Sequence, residues 1–241
     1  MTTQALIAAG GLGTRMSSRV NPANDKTLIE CADQSMIGHL IDGLKKGGIK
    51  TFIFSSGYHN FEKIKKIVKS KKISAVVVPY FEEDRLGYRK IPYILQDLLE
   101  DQFMFVCGHH PLPPEFVSKM LQVSKKCDCV ITAYDNSLYP TNRENKILYE
   151  GSIFHPVLKV VNTKTHRINP NHKYVRNPYI VKKELIKLAV QENFQYAFSY
   201  YLYLYWQKGG KLAVIKTSIP PEFDYDHEFE KTKLFLGKIN C

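Results

Sequence analysis

The sequence opens with Gln4-Ala-Leu-Ile-Ala-Ala-Gly-Gly-Leu-Gly-Thr-Arg-Met16, and an isolated Lys26 follows. A short apolar run, Leu6 to Ala9, stops at the closely spaced glycines Gly10, Gly11 and Gly13. An apolar run of this length ended by glycines reads as a buried strand entering a tight loop. Glycine permits positive φ and close approach of another molecule to the backbone. Successive N–H groups in such a loop form an anion-binding concavity, to which Arg15 and Lys26 add positive charge. The stretch therefore predicts a phosphate-handling loop at the end of a buried strand, and hence an α/β fold.

The remainder of the chain alternates in the manner such a fold requires. Ser35 to Gly48 reads as a helix with Ser35 as N-cap and Met36, Ile37, Leu40, Ile41 and Leu44 as its apolar stripe. Thr51 to Ser55 is the second expected strand, Phe61 to Ser70 an amphipathic helix, and Ile73 to Pro79 a near-continuous apolar strand suited to a parallel sheet covered on both faces. Tyr80 to Arg89 reads as a loop and Ile91 to Leu99 as a helix. Phe103 to Cys107 is a fourth strand, ending at Gly108-His109-His110-Pro111. A helix from Pro114 to Val123 and a strand from Asp128 to Tyr134 follow. Such alternation implies right-handed βαβ units in a mostly parallel sheet. Ligands of such sheets bind beyond the carboxyl ends of the strands, which puts the Gly10–Arg15 loop and the Gly108–Pro111 turn on one edge.

From about Thr141 the pattern shortens. Ile147 to His155 and Leu158 to Ile168 read as a hairpin or meander, followed by a strand from Lys173 to Val181 that contains Arg176-Asn177-Pro178. Lys183 to Gln191 and the aromatic Tyr196 to Trp206 read as helices, Leu212 to Ile215 as a last strand, and Asp226 to Leu236 as a closing helix. Phe198, Tyr201, Leu202 and Tyr205 share one face of the aromatic helix; core packing is the plain reading of it and a homodimer contact the sharper one. The expected architecture is one α/β/α sandwich with a small late β insertion, residues 1–140 forming one half and 141–241 the other.

Composition narrows the classes. With 241 residues of which 44% are hydrophobic, the chain has enough apolar material for a core, and nothing marks it as disordered. No apolar run is long enough to span a bilayer, and the first residues lack the basic region of a signal peptide, so a cytoplasmic protein is expected. Lys and Arg number 34 against 23 acids, a net charge of +11 that favours anionic partners. Much of the excess lies in lysine-rich helical stretches such as Lys63 to Lys72, which read as a solvated face, and no nucleic-acid-binding module is present. The five cysteines, Cys31, Cys107, Cys127, Cys129 and Cys241, match neither a disulfide framework nor a zinc site and predict reduced thiols.

The glycine loop itself excludes two common phosphate motifs. No Gly-Lys-Ser/Thr follows at Walker A spacing, and Met16 stands where a dinucleotide fingerprint needs its last glycine. Ala8-Ala-Gly-Gly-Leu-Gly-Thr-Arg-Met16, Lys26, Met36-Ile-x-His39 and Gly48-Ile49 resemble the opening of the nucleotidyltransferases that activate sugar phosphates. Fainter traces follow in Leu86-Gly87, Phe105-Val-Cys-Gly108, Asn177-Pro-Tyr-Ile180 and Asp224-Tyr-Asp-His-Glu-Phe229. The resemblance implies a nucleotide-diphospho-sugar transferase type of fold. It also implies in-line attack of a sugar-1-phosphate, or phosphorylated small alcohol, on the α-phosphorus of a nucleoside triphosphate, with pyrophosphate as leaving group.

By this resemblance Ala8, Gly10, Gly11, Gly13, Thr14 and Gly87 line the nucleotide, Arg15 and Lys26 neutralise charge during transfer, and Asn177 touches the acceptor. The plainer reading of Asn177 is a turn residue before proline. Relatives carry a metal-binding aspartate in a Gly-Asp turn; here His109 occupies that place, while Asp224 matches the second metal carboxylate and Asp226 is its near alternative. Imidazole is a poor ligand for magnesium. Three expectations stay open: a softer divalent ion such as manganese on His109 and Asp224, magnesium held through Asp224 and the triphosphate, or loss of transfer with binding retained.

Overall fold

The computed structural model of the chain describes residues 2–11, 25–80, 87–135, 145–162, 173–219 and 226–239, and the statements below concern these. Strand β1 (Gln4–Ala9) lies at the centre of the sheet. Short strands β2 (Glu30–Cys31) and β3 (Gln34–Ser35) lead into helix α1 (Met36–Lys46). Then come β4 (Thr51–Ser56), α2 (Phe61–Ser70), β5 (Ser74–Pro79), α3 (Gly87–Ile94), β6 (Gln102–Cys107), α4 (Pro114–Ser124) and β7 (Cys129–Asp135). The later part contributes β8 (Asn145–Gly151), β9 (Pro156–Asn162), β10 (Lys173–Lys182), α5 (Leu185–Gln191), α6 (Phe198–Gln207), β11 (Leu212–Thr217) and α7 (Asp226–Ile239).

The sheet order is β11-β7-β10-β6-β1-β4-β5. β1 pairs in parallel with β4 and β6, and β5 and β11 join their neighbours in parallel as well. Only β10 runs antiparallel within this row, and the β8–β9 hairpin hangs from it as the late insertion. Side chains alternate across β1 and β6, and both faces are buried, which explains their unbroken apolar sequence. Leu6, Phe103 and Phe105 face a layer holding Ile91 of α3, Leu185 of α5 and Tyr201 of α6. Ala5, Ile7, Met104 and Val106 face α1, α2 and α4 through Leu40, Ile64 and Val117. The α/β/α layering read from the sequence is the layering observed.

Helix α1 starts where its cap requires, with the Ser35 hydroxyl accepting the Gly38 N–H at 3.3 Å. Ser35→Ala is predicted to lower stability by about 1 kcal/mol, read as a shifted midpoint at unchanged slope in urea unfolding. Helix α7 covers the β2–β3 side, where Phe229 and Leu236 pack with Cys31 and Met36.

Two expectations need correction. The loop expected through Arg89 already becomes helical at Gly87, and the helix expected over Ile91 to Leu99 ends at Ile94 and gives way to a 3-10 turn at Gln96–Leu98. Tyr88 stacks on Phe105 at 4.9 Å while Ile91 and Leu95 are buried. This packing outweighs the local preference of glycine and proline. The expected run to Ile168 extends past the described part of β9.

In the aromatic segment, Phe198, Tyr201 and Leu202 are buried, and the Tyr201 hydroxyl accepts the Tyr196 N–H at 3.0 Å. On the outer side Tyr196, Tyr200, Tyr203 and Trp206 form a ladder with ring centroids 4.3, 5.8 and 6.1 Å apart. Cys31, Cys107, Cys127 and Cys129 are thiols outside any disulfide. Among the described residues no helix is long and apolar enough to cross a membrane.

Candidate active site

The carboxyl ends of β1, β4, β5 and β6 share one edge of the sheet, because these strands run in parallel. β10 runs the other way, so its first half, with Arg176 and Asn177, arrives at the same edge. The Gly108 N–H donates to the Ala8 carbonyl at 2.8 Å and extends the β1–β6 ladder to the tip.

Lys26 opens a 3-10 turn, Lys26–Leu28, that lies against this tip. Asp25 caps the turn: its carboxylate accepts the Thr27 N–H at 3.1 Å, and its carbonyl accepts the Leu28 N–H at 2.9 Å. Gly108 makes the close approach sterically possible. A Cβ at that position would stand 2.7 Å from Thr27 Cγ2 and 3.2 Å from the Ala8 carbonyl oxygen. The residue after Lys26 thus touches the residue before His109, and Lys26 itself is only 6% exposed. Asn60, just ahead of α2, donates from Nδ2 to the Ala9 carbonyl at 2.8 Å and to the Asp25 carboxyl.

Asn177 is buried at the β10 bulge between Arg176 and Tyr179, where a cis peptide bond precedes Pro178. Its side-chain amide stands in for a peptide group. Oδ1 accepts the Cys107 N–H at 3.1 Å, while Nδ2 donates to the Phe105 carbonyl at 3.1 Å and to the Tyr88 hydroxyl at 2.8 Å. The Tyr134 hydroxyl donates to the Asn177 carbonyl at 2.8 Å. Both amide hydrogens of Asn177 are therefore committed within the fold, and the residue lies at a bulge within strand β10 rather than in a turn.

The structure brings Ala8, Gly10, Lys26, His109 and Asn177 to one edge, with Gly87 opening α3 one residue before the Tyr88 that Asn177 contacts. Gly11 is exposed. Gly13, Thr14, Arg15 and Asp224 lie outside the described residues; Asp226 begins α7. His109 is half-buried, whereas His110 is fully buried with its ring 6.4 Å from that of Tyr134, consistent with a structural role. Among the described residues no group of three or more His, Cys, Asp or Glu side chains is placed to hold a metal ion. At this edge His109 offers imidazole where magnesium prefers oxygen donors.

Sequence reading did not single out Asp25 or Asn60. Burial pushes the Asp25 carboxyl up to about 7, although hydrogen bonds from Thr27 and the nearby Lys26 charge oppose the shift. An acid whose folded pKa lies above its unfolded value favours the folded state most at low pH. That stability is complete below the ordinary carboxylate value, is lost as pH rises to about 7, and is constant above it. We predict that wild-type stability relative to Asp25→Asn falls between roughly pH 4 and 7, by on the order of 4 kcal/mol at most. Paired urea titrations across pH check this; parallel curves would contradict it.

Comparison with known proteins defines the class. Solved structures with the same fold include the inositol-1-phosphate CTP transferase from T. maritima (TM-score 0.76, 15% identity, covering 99% of this chain and 96% of that one). The UTP-bound UGPase from Acinetobacter baumannii also matches (TM-score 0.74, 13% identity, 98% and 94% covered). So does apo-UDP-glucose pyrophosphorylase (TM-score 0.78, 13% identity, 100% of each chain). At such identity these establish the fold, that of the nucleotide-diphospho-sugar transferases.

Residues 5–167 match the family model described as the MobA-like NTP transferase domain, and the chain belongs to that family. The bifunctional protein GlmU of Clostridioides difficile (strain 630) is 28% identical over 123 residues, 50% of this chain and 25% of GlmU. GlmU of Staphylococcus carnosus (strain TM300) is 29% identical over 115 residues, 46% and 23% respectively. The matched part spans about a quarter of the length of these curated relatives.

Proposed function

We propose that the chain is a nucleotidyltransferase that moves a nucleotidyl group from a nucleoside triphosphate to a sugar-1-phosphate or similar phosphorylated acceptor. An acceptor phosphate oxygen attacks the α-phosphorus, a new P–O bond forms, and the bond to the β-phosphate breaks with its electron pair leaving on pyrophosphate. The observation that carries the reading is Lys26, held in a capped turn against the tip of β1 where the glycine loop begins. A fixed cation there supplies what phosphoryl-type transfer needs most, positioning and charge stabilisation.

In this reading Arg15 shares the charge with Lys26, and Ala8, Gly10, Gly11, Gly13, Thr14 and Gly87 line the nucleotide. Asn177 serves the acceptor side by fixing Tyr88 and the β10 bulge. Residues 1–140 form the nucleotide half and 141–241 the acceptor half. A cytoplasmic role in sugar-nucleotide synthesis, and a homodimer contact through the aromatic α6 ladder, belong to the same proposal. Relatives suggest a divalent ion, with His109 and Asp224 as the residues assigned to meet it.

A second reading, nucleotide or nucleotide-sugar binding without transfer, is favoured by His109 in the aspartate's place. A thermal-shift screen of the common triphosphates and nucleotide sugars, with magnesium and with manganese, tests both, because ligands of the folded state raise its apparent stability. A nucleotide-dependent shift accompanied by pyrophosphate release supports the enzyme; a shift without release supports binding alone. His109→Asp is predicted to raise magnesium-dependent turnover. An unchanged or lower rate would mean that the imidazole is itself the fitted group.

A further inference from the structure

We propose that Asp25, together with Asn60, is a positioning residue that locks Lys26 against the tip of β1. The inference rests on the assignment of Lys26 to triphosphate and pyrophosphate. Capping a 3-10 turn does not require burial; an exposed aspartate caps as well and keeps its hydration. Asp25 is nevertheless only 2% exposed and Asn60 is fully buried. Two costs are tolerated to keep them there. The Asp25 carboxyl is desolvated far enough to raise its pKa to about 7. Asn60 turns Nδ2 to both partners and leaves Oδ1 buried without a hydrogen-bond partner among the described residues.

What those costs secure is a three-way junction. Asn60 is anchored at the start of α2, its backbone N–H donating to the Gly57 carbonyl at 3.2 Å and its carbonyl accepting the Ile64 N–H at 2.9 Å. From that anchor one amide nitrogen reaches the last residue of β1 and the carboxyl that caps the Lys26 turn. The glycine loop and the lysine flank the same phosphates in the proposed reaction. The separation of the Lys26 turn from the last residue of β1 is then set by this link and by the Thr27–Gly108 contact, and the turn needs no rebuilding when a polyphosphate arrives.

The test is calorimetric binding of inorganic pyrophosphate, the product common to every such transfer, in magnesium- or manganese-containing buffer. Lys26→Ala should weaken binding strongly. Asp25→Ala should weaken it about tenfold, and that loss should disappear in the Lys26→Ala background, since Asp25 acts through Lys26. Asp25→Asn, which keeps an oxygen for the Thr27 amide, should recover most of the affinity. If Asp25→Ala does not fold, Asn60→Ala removes the other half of the link and should give a several-fold loss with the same dependence on Lys26. Wild-type affinity in Asp25→Ala or Asn60→Ala, an undiminished loss without Lys26, or no recovery in Asp25→Asn would overturn the inference while leaving Lys26 in place. Absence of pyrophosphate binding by the wild type, or no effect of Lys26→Ala, would remove the Lys26 assignment and this inference with it.

Discussion

Replacing Lys26 by alanine is expected to slow pyrophosphate release from nucleoside triphosphate and acceptor by about 10²–10³-fold. The size follows from the burial of Lys26. At 6% exposure Lys26 works in a partly water-excluded site, where a fixed charge acts on the transition state far more strongly than a solvated one. Its turn is capped by Asp25 and pressed on Gly108, so the backbone that carries the lysine is held before substrate binds. Lys26→Met keeps most of the buried alkyl stem and serves as the control for packing. Both variants should be comparably slow while retaining the wild-type fold by circular dichroism. A Lys26→Met enzyme with wild-type turnover would show that the charge plays no part.

The second large effect falls on stability. Asn177→Ala is predicted to destabilise the fold by about 3 kcal/mol. The substitution leaves the Cys107 N–H and the Phe105 carbonyl without their partner in a buried stretch of β6, and releases the Tyr88 hydroxyl. Leaving a buried group unmet costs about 1–3 kcal/mol each, partly offset where water enters. A residue that only touched the acceptor would change the KM for acceptor and leave unfolding untouched. Urea unfolding of Asn177→Ala separates the two: a midpoint unchanged from wild type would return Asn177 to a purely acceptor-contacting role.

Elements buried on both faces were legible because burial leaves a local trace. The apolar runs of β1 and β6 and the stripe of α1 needed no knowledge of distant residues, and Ser35 marked its own helix start; β5, read as covered on both faces from an equally apolar run, is instead a partly exposed edge strand with Val76 48% exposed. The start of α3 leaves no such local trace, because the helix is stabilised by the stacking of Tyr88 on Phe105 from another part of the chain. The glycine loop and Lys26 were legible as a motif.

Asp25 was not, since an aspartate beside a lysine in a polar stretch reads as solvated. Its burial depends on Asn60, 35 residues away. Asn177 was half legible. Its place in a motif was visible, and so was the proline after it. That its amide would replace a peptide group of the ladder required the β10–β6 register.

The most direct measurement of the central claim is pyrophosphate release across a matrix of nucleoside triphosphates and phosphorylated sugars or alcohols, with magnesium or manganese, in wild type and Lys26→Ala. Release is expected from a particular triphosphate only when a phosphorylated acceptor is present, with near-complete loss in Lys26→Ala. The claim is contradicted if no pair supports release with either ion, or if release survives Lys26→Ala at the wild-type rate.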